Sequence, residues 1–204
     1  MADWRIIEFC GQTIAQLIEQ HLARLSISNV TVGVVTAGSF GALASTATPF
    51  ISIFLYQIAP NPEMRNGLRS ILPDGTPMRQ PLPLELNYMV TAWGVRQPTD
   101  PASDALAARE EARLMGAVLQ ALYDKAEVGR GDLVETAVAP GWGASDSMQL
   151  VLQSLPVETH YRIWDAAELG YRLSLIYRAR VTSLAPTPPR LAAIVTDAAL
   201  ELVP

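Results

Sequence analysis

The side chains able to do chemistry are few in this sequence, and poorly spaced for it. His21 and His160 are the only histidines and Cys10 is the only cysteine. One thiol excludes an internal disulfide and a cysteine-built zinc site. His160, near Glu158 and Asp165, is the one candidate general base of a small hydrolase, but this position suits an ordinary surface or interface histidine. His21 falls near the polar edge of an amphipathic segment, and Cys10 lies on its apolar stripe, where a thiol packs as a small hydrophobe. Neighbouring Glu110 and Glu111 point about 100° apart on a helix and cannot converge, so they read as a solvated face with Arg113 as a partner. No glycine-rich turn leads into Lys-Ser or Lys-Thr, and Gly33, Gly38 and Gly41 lack the dinucleotide-binding spacing. No Gly-x-Ser-x-Gly elbow is present. Tyr56, Tyr88, Tyr171 and Tyr177 are placed like sheet packing, without the positive groove of a base-stacking platform. No catalytic residue, cofactor site or metal ligand is assigned.

Composition agrees. The chain has 204 residues, half of them hydrophobic, enough for one α/β or α+β domain with a real core. A net charge of −5 argues against a general nucleic-acid binder that tracks phosphates. Lys125 is the only lysine beside 14 arginines, and guanidinium forks suit partly desolvated ion pairs. Asp3, Arg5 and Glu8 occupy the place where a signal peptide needs an apolar run, so the expectation is cytoplasmic synthesis without a signal peptide. Leu25 to Pro62 carries no charge, yet its middle is small, hydroxylated and interrupted by Pro49 and glycines. It reads as two buried strands joined by an uncharged loop, not as a membrane span, and no stable membrane insertion is expected.

The elements that must position any surface emerge from periodicity. Trp4 to Leu25 has apolar residues three and four apart and reads as an amphipathic helix. Val30 to Val35 reads as a strand, followed by a loop over Gly38 to Thr48. Phe50 to Ile58 is apolar on both faces, the pattern of a central strand covered on two sides. A turn-rich connection leads to Leu82–Trp93, where Leu82, Leu84, Leu86, Tyr88, Val90 and Ala92 alternate with a second face carrying Glu85 and Asn87. After a linker over Pro98 to Ser103, with Ser103 or Asp104 as cap, a long helix covers Ala105 to Ala126 and buries Ala108, Met115, Val118, Leu119 and Leu122. A short strand lies within Asp146 to Leu152. Pro156 opens a short helix through Glu168 with Tyr161, Trp164 and Ala167 inward, ended by Gly170. Tyr171 to Ser183 alternates as a long antiparallel strand with Arg172, Arg178 and Arg180 on its outer face. The expected fold is therefore mixed α/β: a largely antiparallel sheet of four to six strands with an N-terminal helix, one long central helix and one short helix. Residues 1–184 form the domain, and 185–204 form a proline-hinged tail with apolar Leu191, Ile194 and Val195. The arginine-studded strand and the apolar tail both suit protein–protein contact.

Several segments also resemble one family in order. Phe50 to Gln57 followed by Ile58-Ala59-Pro60-Asn61-Pro62-Glu63-Met64-Arg65-Asn66 is similar to a strand–Leu-Tyr-Gln–Pro-Asn–Arg-Asn signature. Pro81 to Gly94 resembles its Pro-Leu–Leu–Leu–Tyr–Thr-Ala-Tyr-Gly strand, with Trp93 where the family has Tyr. Glu111 to Val128, Leu155 to Ala167 and Gly170 to Tyr177 resemble its Leu-Met-Gly helix, Leu-Trp helix and Tyr-Arg-Leu-Ser strand. That family is the cap, or tail-terminator, proteins of contractile injection systems, and the resemblance is to the N-terminal domain of the cap protein. It implies a structural, non-enzymatic role without cofactors: a ring of own copies, six in number, closing the distal end of inner tube and sheath and stopping polymerisation. The partners implied are its own copies, the inner tube protein and the sheath protein, within a particle that is cytoplasmic or released on lysis. A baseplate or adaptor protein of the same particle is the alternative. Candidate interface residues are Asn61, Arg65 and Asn66 in one turn, Arg172, Arg178 and Arg180 on the strand, and Leu191, Ile194 and Val195 in the tail. For the turn residues, structural capping of that turn is the preferred reading over contact with a partner.

Overall fold

The computed structural model describes residues 2–64, 81–96, 100–138 and 140–185. A six-stranded sheet forms its middle. The strands are β1 (Thr31–Val35), β2 (Phe50–Pro60), β3 (Leu82–Trp93), β4 (Glu127–Val128), β5 (Met148–Gln153) and β6 (Ser174–Leu184). Their spatial order is β1-β2-β3-β6-β5-β4. Only β1 and β2 run parallel; the other pairs are antiparallel. The sheet is mixed and largely antiparallel, as the alternation required.

Two helices, α1 (Ile6–Arg24) and α3 (Pro101–Asp124), cover one face. α1 buries Ile6, Phe9, Cys10, Ile14, Leu17, Ile18 and Leu22, the stripe that a 3.6-residue period brings to one side. It ends in a Schellman motif: Ile27 N–H donates to Leu22 C=O at 2.9 Å and Ser26 N–H to Ala23 C=O at 3.1 Å, with Ser26 at φ 55° in the usual glycine position. Against these helices lie Ile51 and Ile53 of β2, Leu86, Tyr88, Val90 and Ala92 of β3, and Tyr177, Ala179 and Val181 of β6. Full burial of such side chains contributes about 1.5–3 kcal/mol each.

On the opposite face, the described residues outside the strands cover one half of the sheet. Phe40, from the four-residue helix α2 (Phe40–Leu43), meets Phe54, Trp93 and Trp164 at ring-centroid distances of 5.3, 5.6 and 5.4 Å. Trp164 is brought there by α4 (Val157–Ala166). Beneath the rings runs a chain of buried hydroxyls. Trp93 Nε1 donates to Ser52 Oγ at 2.8 Å, and Thr91 Oγ1 donates to Ser174 Oγ at 3.0 Å. These polar atoms under the aromatic cover thus have partners, which offsets the cost of burying them.

Several expectations need correction. The strand buried on both faces is β3, which is buried throughout except Leu82; β2 is buried at Ile51–Ile53 and opens towards Pro60. α3 begins earlier than expected because Asp100, not Ser103 or Asp104, is the cap: its Oδ1 accepts from Ala102 N–H at 2.9 Å and Pro101 takes the first helical position. The buried stripe of α3 is Ala107, Glu111, Leu114, Met115, Ala117, Val118, Ala121 and Leu122, so Ala108 faces outward, Leu119 is only half-buried and Glu111 faces in. α4 ends at Ala166 with Glu168, not Gly170, in the left-handed region at φ 56°. Tyr161 is exposed and stacks on Tyr171 at 4.5 Å instead of pointing inward. β6 starts at Ser174, so Arg172 precedes the strand.

Candidate interface surfaces

The uncovered half of the sheet carries two polar rows fixed by register. One row is Gln57–Asn87–Arg178–Val151 and the next is Ala59–Glu85–Arg180–Gln149, each crossing β2, β3, β6 and β5. Side chains two apart on a strand share a face, so Arg178 and Arg180 flank the single carboxylate of Glu85. Arg178 Nε lies 3.3 Å from Glu85 Oε2, and Arg180 Nε lies 3.3 Å from Glu85 Oε1. Asn87 accepts from Arg178 Nε at 3.4 Å and donates to Gln57 Oε1 at 3.2 Å. Glu85 is 9% exposed at its side chain, while the two arginines are 30% and 33% exposed. The arrangement therefore sinks one acid between two bases and turns excess positive charge outward. The Nη groups of both arginines make no bond to another described residue. Such half-exposed forks accept carboxylates from another surface at modest desolvation cost.

Arg172 has a different place. Glu111 on α3 accepts from Gly94 N–H at 3.0 Å, from Arg96 Nη2 at 3.0 and 3.1 Å, and from Arg172 Nη1 at 3.3 Å. Arg172 also lies over the Trp93 ring, 4.7 Å from its centroid. Burial pulls the Arg172 guanidinium below its ordinary range, and the neighbouring Arg96 charge adds to that. Gly94 is required here: a Cβ would meet Ala107 C=O at 2.8 Å, so only glycine lets the end of β3 approach α3 closely enough for the Glu111 bond. This node ties β3, α3 and the approach to β6 together. It corrects the expectation that Glu111 is solvated and paired with Arg113. Its signal in the sequence was its position in the buried α3 stripe, visible only once the helix phase is set by Ala107 and Leu114.

Asn61 is 3% exposed and caps its own turn, accepting at Oδ1 from Glu63 N–H at 2.9 Å and Met64 N–H at 3.3 Å. Its N–H donates to Pro83 C=O at 2.9 Å. Arg65, Asn66, Leu191, Ile194 and Val195 lie outside the described residues. Cys10 is buried in the core, and burial pushes its thiol pKa far up, away from reactive thiolate chemistry. His21 is buried rather than at a polar edge. His160 sits edge-on to Tyr171 at 5.5 Å, and partial burial lowers its pKa. Among the described residues no group of His, Cys, Asp and Glu could hold a metal ion, and no helix is long and apolar enough to cross a membrane.

The two sheet edges also differ. At one end β4 is two residues long, flanked by Lys125–Asp132 and Arg130–Glu135 ion pairs. Hydrogen bonding to Arg130 holds the Glu135 carboxyl below its ordinary range. At the other end, among the described residues, β1 pairs only with β2. Thr31 N–H donates to Pro49 C=O at 3.0 Å, so the alternation of the strand turns the N–H and C=O groups of Val32 and Val34 to the open edge.

Comparison with known proteins places this geometry in a family. The family model described as the Pvc16 N-terminal domain matches residues 10–196, and the chain belongs to that family. Among solved structures, the sheath/tube terminator of the extracellular contractile injection system PVC in its extended state aligns at 19% identity over 92% of this chain and 64% of that one, with a TM-score of 0.49. The tube-terminating cap of the anti-feeding prophage (AFP) aligns at 20% identity over 75% of this chain and 50% of that one, with a TM-score of 0.45. The chain thus spans less than two thirds of the length of either. No curated protein matches it.

Proposed function

We propose that this member of the Pvc16 N-terminal domain family is a structural cap of a contractile injection system. It forms a ring of six copies on the distal end of inner tube and sheath and stops their polymerisation. The observation that carries this reading is the family match over residues 10–196. The motifs found in order along the sequence resemble the same family independently of that match. A terminator must cover the open end of a polymer while offering no new copy of it. The uncovered ionic half-sheet suits such contact, with Arg178 and Arg180 supplying register towards carboxylates of a neighbour and apolar patches supplying affinity. In this reading the tail residues Leu191, Ile194 and Val195 contact a neighbouring subunit, Arg65 and Asn66 contribute to the same contacts, and Arg172 holds the scaffold. No bond is made or broken, and no cofactor is needed.

The test is assembly. Purified chain analysed by native mass spectrometry should give a closed ring of six, and adding it to polymerising sheath and tube should shorten the polymers. A chain that stays monomeric and leaves polymer length unchanged overturns the reading.

A further inference from the structure

We infer that the apolar pocket between α1 and the sheet receives the Tyr161–Tyr171 pair of a second copy of this chain, as the repeating contact of the ring. This rests on the ring-forming reading above. A closed ring repeats one head-to-tail contact, so each copy must carry two different surfaces that fit each other. Two exposed apolar sites of this chain qualify. One lies on the sheet face that α1 and α3 cover, the other beside α4 on the opposite face. A single copy cannot bring them together, so a contact between them joins two copies.

The first site is a pocket of about 460 Å³ whose apolar walls are Trp4, Ile7, Val34, Leu55 and Tyr88. Trp4 is 70% exposed there, and Val34 is exposed too. The second site is built by α4 and the chain before β6. Tyr161 stacks on Tyr171 at 4.5 Å, and the two are 46% and 44% exposed. Val157, one helical turn before Tyr161, is exposed beside them. His160 stands edge-on to Tyr171 at 5.5 Å, so the rings are placed before any contact forms. Rigid exposed tyrosines supply contact area at low entropic cost and anchor interfaces out of proportion to their number.

Charge selects a second copy as the occupant. Arg5 and Glu8 also line the pocket, about one helical turn apart. On α4, Glu158 and Arg162 flank Tyr161, again about one turn apart, and neither forms an ion pair among the described residues. One alignment sets Glu158 against Arg5 and Arg162 against Glu8, opposite signs at both places. The reversed alignment sets like charges together at both places, so the same four residues favour one orientation and penalise the other. Exposed pairs of this kind fix register and orientation, while Trp4, Val157 and the tyrosines supply the buried area.

Crosslinking between full-length copies tests this. Copies carrying Glu8→Cys are mixed with tagged copies carrying Arg162→Cys and treated with a short bismaleimide; both positions are exposed, and native Cys10 is buried and does not compete. A covalent heterodimer is expected. Adding Tyr161→Ala to the Arg162→Cys copy should cut its yield about tenfold or more with the melting temperature nearly unchanged. In sedimentation of the unlinked chain, Arg162→Glu should weaken self-association, and Glu8→Arg added to it should restore it. The inference is overturned if no heterodimer forms, if Tyr161→Ala leaves the yield intact, or if Glu8→Arg restores nothing; a ring that still forms and still shortens polymers in these variants spares the cap reading. Trp4→Ala and Tyr161→Ala chains that keep the ring but no longer shorten sheath–tube polymers give the pocket to a tube or sheath subunit and also overturn it. An unmodified chain that stays monomeric overturns both readings.

Discussion

One face of the sheet is built in two ways along its length. Near the end of β3, Trp93, Trp164, Phe40 and Phe54 close over buried hydroxyls and exclude water. About six residues further along the same strands, Glu85, Asn87, Arg178 and Arg180 lie in rows that no described element covers. The first half is an interior, where apolar area supplies free energy. The second half has polar groups held in register at fixed spacing, half-solvated, and it contributes little to folding for its size. The difference lies in how the side chains are satisfied: those of the first half are sealed against one another, and those of the second are aligned by strand register and remain half-exposed at Arg178 and Arg180.

The largest effect expected is on the sealed half. Trp164→Ala should cost about 3–5 kcal/mol, a fall in melting temperature on the order of 10 °C, because Trp164 is fully buried at the centre of the cluster. Unfolding in urea checks it. The ionic half should respond asymmetrically. Removing both bases, Arg178→Ala with Arg180→Ala, strands a mostly buried carboxylate and should cost about 2–3 kcal/mol, whereas Glu85→Gln leaves two half-exposed arginines and should cost about 1 kcal/mol. Equal costs would break the contrast between a sunken acid and its exposed bases. Under the ring proposed above, both changes should also weaken assembly measured by sedimentation, and assembly of the unmodified chain should weaken with salt. Smaller again, Ser52→Ala should cost about 1 kcal/mol through the lost Trp93 bond, read by thermal unfolding.

The smallest effects are those of pH. The pKa of His160 is lowered from 6.5 by burial, so the unfolded chain binds the proton more readily and stability falls slightly as pH drops below about 6.5. Glu135, lowered from 4.5 by its bond to Arg130, contributes stability that is present above about 4.5 and lost on further acidification. His160→Gln should abolish the first of these slopes and leave the second.

Periodicity carried most of the fold. α1, α3, β3 and β6 show in three-four or two-residue repeats, the direct imprint of a buried side, while β1 shows in its β-branched residues and β2 in an unbroken apolar run. α2 and β4 escaped because Ala37–Leu43 is small and uncharged and Glu127–Val128 is too short to show a period. Helix phase failed at one point, the shift from Ala108 to Ala107, and that shift hid Glu111. Arg178 and Arg180 were legible as one face of an alternating strand. Their common partner Glu85 was not, because the register of β3 against β6 is set by tertiary packing and cross-strand pairs leave no spacing in a single sequence.

The central claim is one of position. Electron microscopy of sheath–tube particles assembled with gold-labelled chain locates it directly. The account predicts label at one end only, the end opposite the baseplate, on particles of uniform length. Label along the sheath or at the baseplate, with lengths unchanged when the chain is omitted, would contradict it.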